Sequence, residues 1–355
     1  MNPEPLNMTA STTGVPHVGS LPAGPLDSIA DVAGVTVGHC TLADGAVQTG
    51  VTVIRPHGGD PYRDKVPAAA TVLNGFGKSI GLVQVDELGV LETPLALTNT
   101  FSVGAVAQAQ IRAAVAANPE IGRALPTVNA LVFECNDGCL NDIQRMAVEG
   151  SHYEAALAGA GHDVAQGAVG AGRGMSAFGV KGGIGTASRL AGGYRVGALV
   201  LANFGTPESL TVAGRLVGPE LVQRLAQPDT AAQPEKGSII MIVATDAPLD
   251  ARQLRRLSLR AGAGLARTGS VFGHGSGDIA LAFSSAYTVP HDAARPMPAV
   301  AMLHETHLDP LFRAASDSVE QAILHALWHA APVQGRDGHG RRALLDVMPE
   351  LGRTA

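Results

Sequence analysis

The sequence predicts an α/β layered fold, and three observations carry that expectation. Glycine accounts for 44 of 355 residues and aromatics for only 4%. Small aliphatic side chains must therefore fill the core, and the backbone must turn tightly in many places, as in close-packed sheets. Short β-branched runs bounded by glycines recur along the chain. Between them lie segments with the 3.6-residue apolar period of helices. The length of 355 residues fits two domains or one large layered domain equally well, with about three quarters of the extended surface available for burial.

Residues 1–25, rich in Pro, Gly, Ser and Thr, are expected to form a loose N-terminal arm. "DVAGVTVGHCTL", "GVTVIRP" and residues 68–75 read as strands. "SVGAVAQAQIRAAVAANPE" reads as a helix with Val103, Val106, Ile111, Ala114 and Val115 on its apolar face, ended by Asn118-Pro119. Residues 128–134 form a buried strand candidate with the acidic Glu134 at its carboxyl end, where loops commonly build sites. Residues 167–189 hold eight glycines in 23 positions, so the backbone there must turn sharply or approach something closely. "YRVGALVLANFG" gives a strand ending at Asn203. "AQPDTAAQPEKG" is the best linker candidate, with Pro228 and Pro234 in turn-prone surroundings. After it come a strand at 239–245, the basic amphipathic helix "DARQLRRLSLRAGAGLART", the strand "DIALAFSSA" and the helix "SDSVEQAILHALWHA". Ser316 or Asp317 is expected to cap that last helix, with Val319, Ala322, Ile323, Ala326 and Leu327 on one face.

Several function classes are set aside. The net charge is −6 with no basic run, so nucleic acid is not an expected partner. Cys40, Cys135 and Cys139 form neither an even framework nor a CxxC pair, which argues against structural zinc and a disulfide scaffold. The first residues lack the positive and apolar regions of a secretory signal. No uncharged apolar run reaches the ~20 residues of a membrane span. A soluble, cytoplasmic setting without membrane contact is the expectation. "GFGKS" lacks the earlier glycine of a phosphate-binding loop, since Val72 stands there, and "GAGRG" is not a dinucleotide fingerprint. "HETH" and "HALWH" lack the glutamate of a zinc-peptidase helix and read as surface or packed histidines. His274, Ser276 and Asp278 lie two apart, a spacing poorly suited to a sequential triad.

The Gly237-Ser238 junction admits two readings. One is an ordinary loop leading into a core strand. The other is an N-terminal nucleophile made by self-cleavage. Serine is a weak nucleophile without a nearby base. Scission before Ser238 would release an α-amine of typical pKa ~7.7–8.0, able to take the hydroxyl proton at neutral pH. Glycine at 237 offers the hydroxyl an uncrowded carbonyl.

"SIIMIVATDAPL" and "GHGSGDIALAFSSA", together with "DVAGVTVGHCTL", "TPLALTNTFSVGAV", "ECNDGCLNDI", "GAVGAGRGMSAFGVKGGIGTASR" and "LVLANFG" upstream, stand in the order found in one family. The chain resembles the β-peptidyl aminopeptidases and L-aminopeptidase/D-amidase/D-esterases from about residue 27 to 346. That resemblance favours the self-cleaving reading. It implies a four-layer α/β/β/α sandwich like that of N-terminal-nucleophile hydrolases, with a different strand connectivity. It implies a single catalytic domain over residues 26–355, cut between Gly237 and Ser238 into associated chains 1–237 and 238–355. By the same resemblance Ser238 is the nucleophile, and Ser276 with Asp278 is a hydroxyl–acid pair assisting proton transfer. Asn203 is an oxyanion donor, and Glu134 holds the substrate ammonium. Some relatives carry Glu where Asp278 stands, and some carry Tyr where this chain has the substrate-binding candidate Asn136. Asn141 and Asp142 are expected to stabilise the loop and the helix start after it. The glycine-rich tract is expected near the site.

The implied reaction is release of N-terminal amino acids from short peptides, amides or esters bearing a free amine, with α-L, D and β-amino-acid substrates left open, by a homo-oligomer of paired chains needing no metal or organic cofactor. An acyltransferase of the ornithine acetyltransferase type would use the same nucleophile with an amine acceptor, although those relatives normally use Thr. A ligand binder that never cleaves is the non-enzymatic alternative.

Overall fold

The structure is a computed structural model that describes residues 14–225 and 237–353. The principal elements in chain order are β1 (Thr36–Asp44), β2 (Val47–Arg55), β3 (Asp64–Gly75), β4 (Leu95–Asn99), α1 (Val103–Ala117), β5 (Val132–Cys135), α2 (Gly150–Ala158), β6 (Gly183–Ala191), β7 (Tyr194–Asn203), β8 (Ser238–Thr245), α3 (Ala251–Arg267), β9 (Gly277–Ser284) and α4 (Asp309–Trp328). A four-stranded sheet has the order β1-β2-β4-β5, its last pair parallel. A seven-stranded sheet follows the path β3-β9-β8-β7-β6, with two-residue strands Val289–Pro290 and Val90–Leu91 added to β3. In that sheet β8 and β9 run parallel, and the other pairs are antiparallel.

The apolar run of β8 has a direct explanation. Alternate side chains point to opposite faces of a strand. Ile239, Met241 and Val243 join the core formed with α3 and α4, whereas Ile240, Ile242 and Ala244 join the core between the two sheets. A strand covered on both faces needs apolar residues at every position. On the far side, Val51, Val53, Ala96 and Val132 of the smaller sheet pack with Val103, Val106 and Ala109 of α1 and Tyr153 and Ala156 of α2. The layers therefore run α/β/β/α, the fold class expected.

Several local expectations change. Residues 14–25, part of the expected loose arm, are seated on the fold. The Val18 N–H donates to the Gln321 side chain at 2.9 Å, and Arg189 donates to the Val18 carbonyl at 2.9 Å. Residues 1–13 and most of the linker candidate, 226–236, lie outside the described residues. The last helix starts at Asp309, with Pro310 in its first turn, not at Ser316 or Asp317. Ser316 bonds instead to the carbonyls of Arg260 and Phe312, and Asp317 receives Arg267. From Ala314 onward this helix is buried on all sides, because α3 and the larger sheet both cover it.

The buried side of α1 carries Val103, Val106, Ala107, Ala109 and Gln110, while Ile111 and Val115 are exposed. The expected strand at 128–134 is only Val132–Cys135, and β4 was not anticipated. The glycine-rich tract runs into the nine-residue strand β6, which ends two residues beyond it at Ala191. Its glycines permit contact that side chains would block: a Cβ on Gly185 would lie 1.8 Å from the Ala322 carbonyl oxygen of α4. Among the described residues, no helix is long and apolar enough to cross a membrane.

Candidate active site

Three strand ends meet at one end of the interior strands of the larger sheet. Asn203, the last residue of β7, pairs with Ser238, the first of β8. Because β9 runs parallel to β8, its beginning lies at the same end, with Asp278 opposite Ile239. All of these residues are buried. The Ser238 Oγ accepts from the Gly277 N–H at 3.0 Å. The Ser276 Oγ donates to Asp278 Oδ1 at 2.5 Å. Burial pushes the Asp278 carboxyl up, opposed by the Ser276 hydroxyl and the Ile239 N–H. The second Asp278 oxygen has no hydrogen-bond partner among the described residues. His274 is exposed, its ring 6.5 Å from that of Phe76, so no sequential triad forms.

The Asn203 amide is oriented from both ends. Its Oδ1 accepts from the Ser176 N–H at 2.9 Å, and its Nδ2 donates to the Asn136 carbonyl at 3.1 Å. An amide nitrogen carries two hydrogens, so one remains for a ligand oxygen. Ser176 lies in the glycine-rich tract, which Lys181 pins. The fully buried Lys181 Nζ donates to the carbonyls of Gly172, Met175 and Gly182 at 2.9, 2.6 and 2.7 Å. Burial, with Arg173 nearby, drives its pKa well below the usual lysine range. Lys181 was not singled out in the sequence. A lysine set among glycines was the only signal.

Glu134 reaches the site from the other sheet. It is buried, and its carboxylate accepts from the Lys78 N–H at 2.7 Å and from the Thr100 hydroxyl. The next residue, Cys135, joins the sheets directly, its thiol donating to the carbonyls of Ser238 at 3.4 Å and Leu201 at 3.6 Å. Burial pushes that thiol's pKa well up, so it stays a neutral donor. The sequence weighs Cys135 only against structural zinc and a disulfide scaffold, and neither reading points to this contact.

Asn136 enters the site differently from the expectation. Its side chain is exposed and accepts from Gly138 N–H at 2.9 Å; its backbone carbonyl is what holds Asn203. Asn141 does brace the loop, accepting from Gln48 N–H and donating to Asp137, both at 3.0 Å. Asp142 makes no capping bond and pairs with Arg145 at 3.1 Å. Asp137, fully buried beneath this loop, has its carboxyl pushed up to about 7 by burial.

The other set-aside histidines serve structure. His325 is buried and bonds the Thr186 carbonyl at 2.7 Å, while His304 bonds Thr306 at the surface. Among the described residues, no three His, Cys, Asp or Glu side chains gather as a metal site. The gathered groups are instead a buried hydroxyl, an oriented amide donor and two buried carboxyls. Such a set can attack a carbonyl, stabilise the oxyanion and hold a cation.

Comparison with known proteins gives one consistent answer. The profile of Peptidase family S58 matches residues 27–341. The β-peptidyl aminopeptidase BapA of Sphingosinicella xenopeptidilytica is 39% identical over 344 residues, 90% of this chain and 84% of that protein. A Burkholderia sp. β-aminopeptidase structure superposes with a TM-score of 0.85 at 42% identity, covering 94% of this chain and 97% of the other. The L-aminopeptidase D-Ala-esterase/amidase of Ochrobactrum anthropi superposes with a TM-score of 0.85 at 34% identity, covering 96% and 98%. That protein is described as a prototype for the serine aminopeptidases and a new variant among the Ntn hydrolase fold.

Proposed function

This chain belongs to peptidase family S58, and from that premise we propose that it is a serine aminopeptidase and amidase activated by its own cleavage between Gly237 and Ser238. The observation that carries this reading is the position of Ser238. A buried hydroxyl opens a rigid central strand, with Gly277 N–H behind it and Asn203 opposite.

In the first step the Ser238 Oγ attacks the Gly237 carbonyl and displaces the Ser238 nitrogen, giving an ester. Water then hydrolyses that ester, leaving the Gly237 carboxylate and a free α-amine. Gly237 suits this junction because a Cβ there would lie 2.4 Å from the Asn203 carbonyl oxygen. The resulting chains, 1–237 and 238–355, would stay associated. In the path β3-β9-β8-β7-β6 the second chain's β8 and β9 lie between strands of the first.

In turnover the α-amine takes the hydroxyl proton while Oγ attacks the substrate carbonyl. The free Asn203 Nδ2 hydrogen donates to the oxyanion. The amine then returns the proton to the leaving group, and water releases the acyl residue. Ser276 and Asp278 relay protons beside the amine, which suits a carboxyl raised by burial. Glu134 holds the substrate ammonium, so a blocked amine would leave a buried carboxylate unpaired. Asn136 supports binding through its carbonyl on Asn203. The substrates are short peptides, amides or esters with a free amine. The paired chains assemble as a homo-oligomer in a cytoplasmic setting.

Mass spectrometry of the purified protein tests the first step. Two chains are expected, one ending at Gly237 and one starting at Ser238, and Ser238→Ala should remain whole. Scission of that variant at the same bond would sink the proposal.

A further inference from the structure

The turn that follows β3 lies between the two halves of the site. The Phe76 N–H donates to the Ser276 carbonyl at 3.2 Å, on the nucleophile side. Two residues later the Lys78 N–H donates to Glu134 Oε1 at 2.7 Å, on the anchor side. Gly77 sits between them. A Cβ built on it would lie 3.6 Å from Glu134 Oε1, 3.6 Å from Ile279 Cδ1 and 3.7 Å from Gly277 Cα. Gly277 is the residue whose N–H meets the Ser238 hydroxyl. A side chain on Gly77 would therefore stand between Glu134 on the anchor side and Gly277 on the nucleophile side. The backbone does not require glycine there, because Gly77 is not among the residues with positive φ. The three distances are ordinary van der Waals contacts, so a methyl group fits without moving its neighbours.

We propose that Gly77 is a specificity-determining residue that sets the permitted span between substrate amine and carbonyl, leaving room for one extra backbone carbon. The proposal rests on the aminopeptidase reading above, with Glu134 as anchor and Ser238 as nucleophile. An α-amino acyl group crosses this span with one carbon. A β-amino acyl group crosses it with two and must bow sideways between fixed ends. The extra methylene takes the space beside Gly77, and one methylene in a closed pocket commonly changes the rate constant by about 10-fold or more.

The test compares wild type with Gly77→Ala on glycine and β-alanine p-nitroanilides, which differ by that one carbon. Scission at Gly237 is the internal control, since the junction bond offers no free amine to Glu134. The expected result is normal scission, an unchanged thermal unfolding temperature, and a kcat/KM for β-alanine p-nitroanilide that falls about 10-fold more than that for the glycine compound. If wild type takes only the β-alanine compound, the same fall with unaltered scission supports the proposal. An equal fall for both compounds, no fall, or a selective loss of glycine turnover overturns it. So does a wild-type enzyme that takes the glycine compound alone. Hydrolysis of neither compound by a correctly cut wild type instead removes the aminopeptidase reading itself.

Discussion

Asn203 and Ser238 face each other as paired residues at the shared end of β7 and β8. The amide of one is locked by Ser176 and Asn136, and the hydroxyl of the other is held by Gly277. Neither side chain has to search for its position, which is how electrostatic stabilisation of an oxyanion avoids reorganisation.

Replacing Asn203 by Ala removes that donor. Loss of one oxyanion donor typically costs about 10²–10³ in kcat. Asn203→Ala is expected to lose activity on amino-acid anilides to that extent, with KM changed far less. Steady-state kinetics on pre-cut enzyme check it, and a change confined to KM would contradict the role.

Glu134→Gln keeps an acceptor for Lys78 N–H but removes the negative charge. Losing one partner of a buried, hydrogen-bonded charge pair costs about 2–5 kcal/mol. The kcat/KM for free-amine substrates should drop by about 30-fold or more, while scission at Gly237 proceeds normally. Parallel assays of turnover and of chain mass separate the two effects.

Gly237→Ala should impair scission specifically. The added Cβ would lie 2.4 Å from the Asn203 oxygen and 2.5 Å from the Phe204 Cα. Both are backbone atoms, so the start of β8 must shift, carrying the Ser238 hydroxyl away from Gly277. The cut fraction, read by mass spectrometry over time, should rise much more slowly than in wild type.

Asp137 gives stability a pH dependence. Its carboxyl is pushed from 3.8 up to about 7 in the folded protein, chiefly by burial. Between those values the unfolded chain has released the proton while the folded one keeps it. Folding therefore loses stability as pH rises from about 4 to 7, by up to about 4 kcal/mol, and the loss is complete above that range. Asp137→Asn removes this dependence, so it should gain stability relative to the parent as pH rises through that window. Urea unfolding at pH 5 and pH 8, in a Ser238→Ala background that keeps the chain whole, measures the difference. An equal difference at both pH values would contradict it.

Much of the architecture was legible in the sequence, for local reasons. The unbroken apolar run after Ser238 demanded burial on both faces, and β8 has it. The basic amphipathic helix α3 begins at its Asp250 cap and buries Leu254, Leu257, Ala261 and Leu265 as its pattern required. The start of α4 was misjudged because Ser316 and Asp317 look like caps locally. Partners in α3 satisfy them instead. Strand β6 was hidden because its glycines carry no strand propensity; Gly185 lets α4 approach, and Gly183 lets the backbone of Gly167 approach.

Residue order by itself determined that a glycine precedes a serine at the head of a buried strand, and which side chains stood ready for acid–base chemistry. Tertiary structure decided who their neighbours are. Glu134 comes from a different sheet, Lys181 acts on Asn203 through the loop holding Ser176, and Cys135 touches the Ser238 carbonyl from 103 positions away. These contacts depend on strand register, in which a slip of one residue would turn Ser238 to the opposite face. Register is set by packing across the whole sandwich, and no short stretch of sequence contains it.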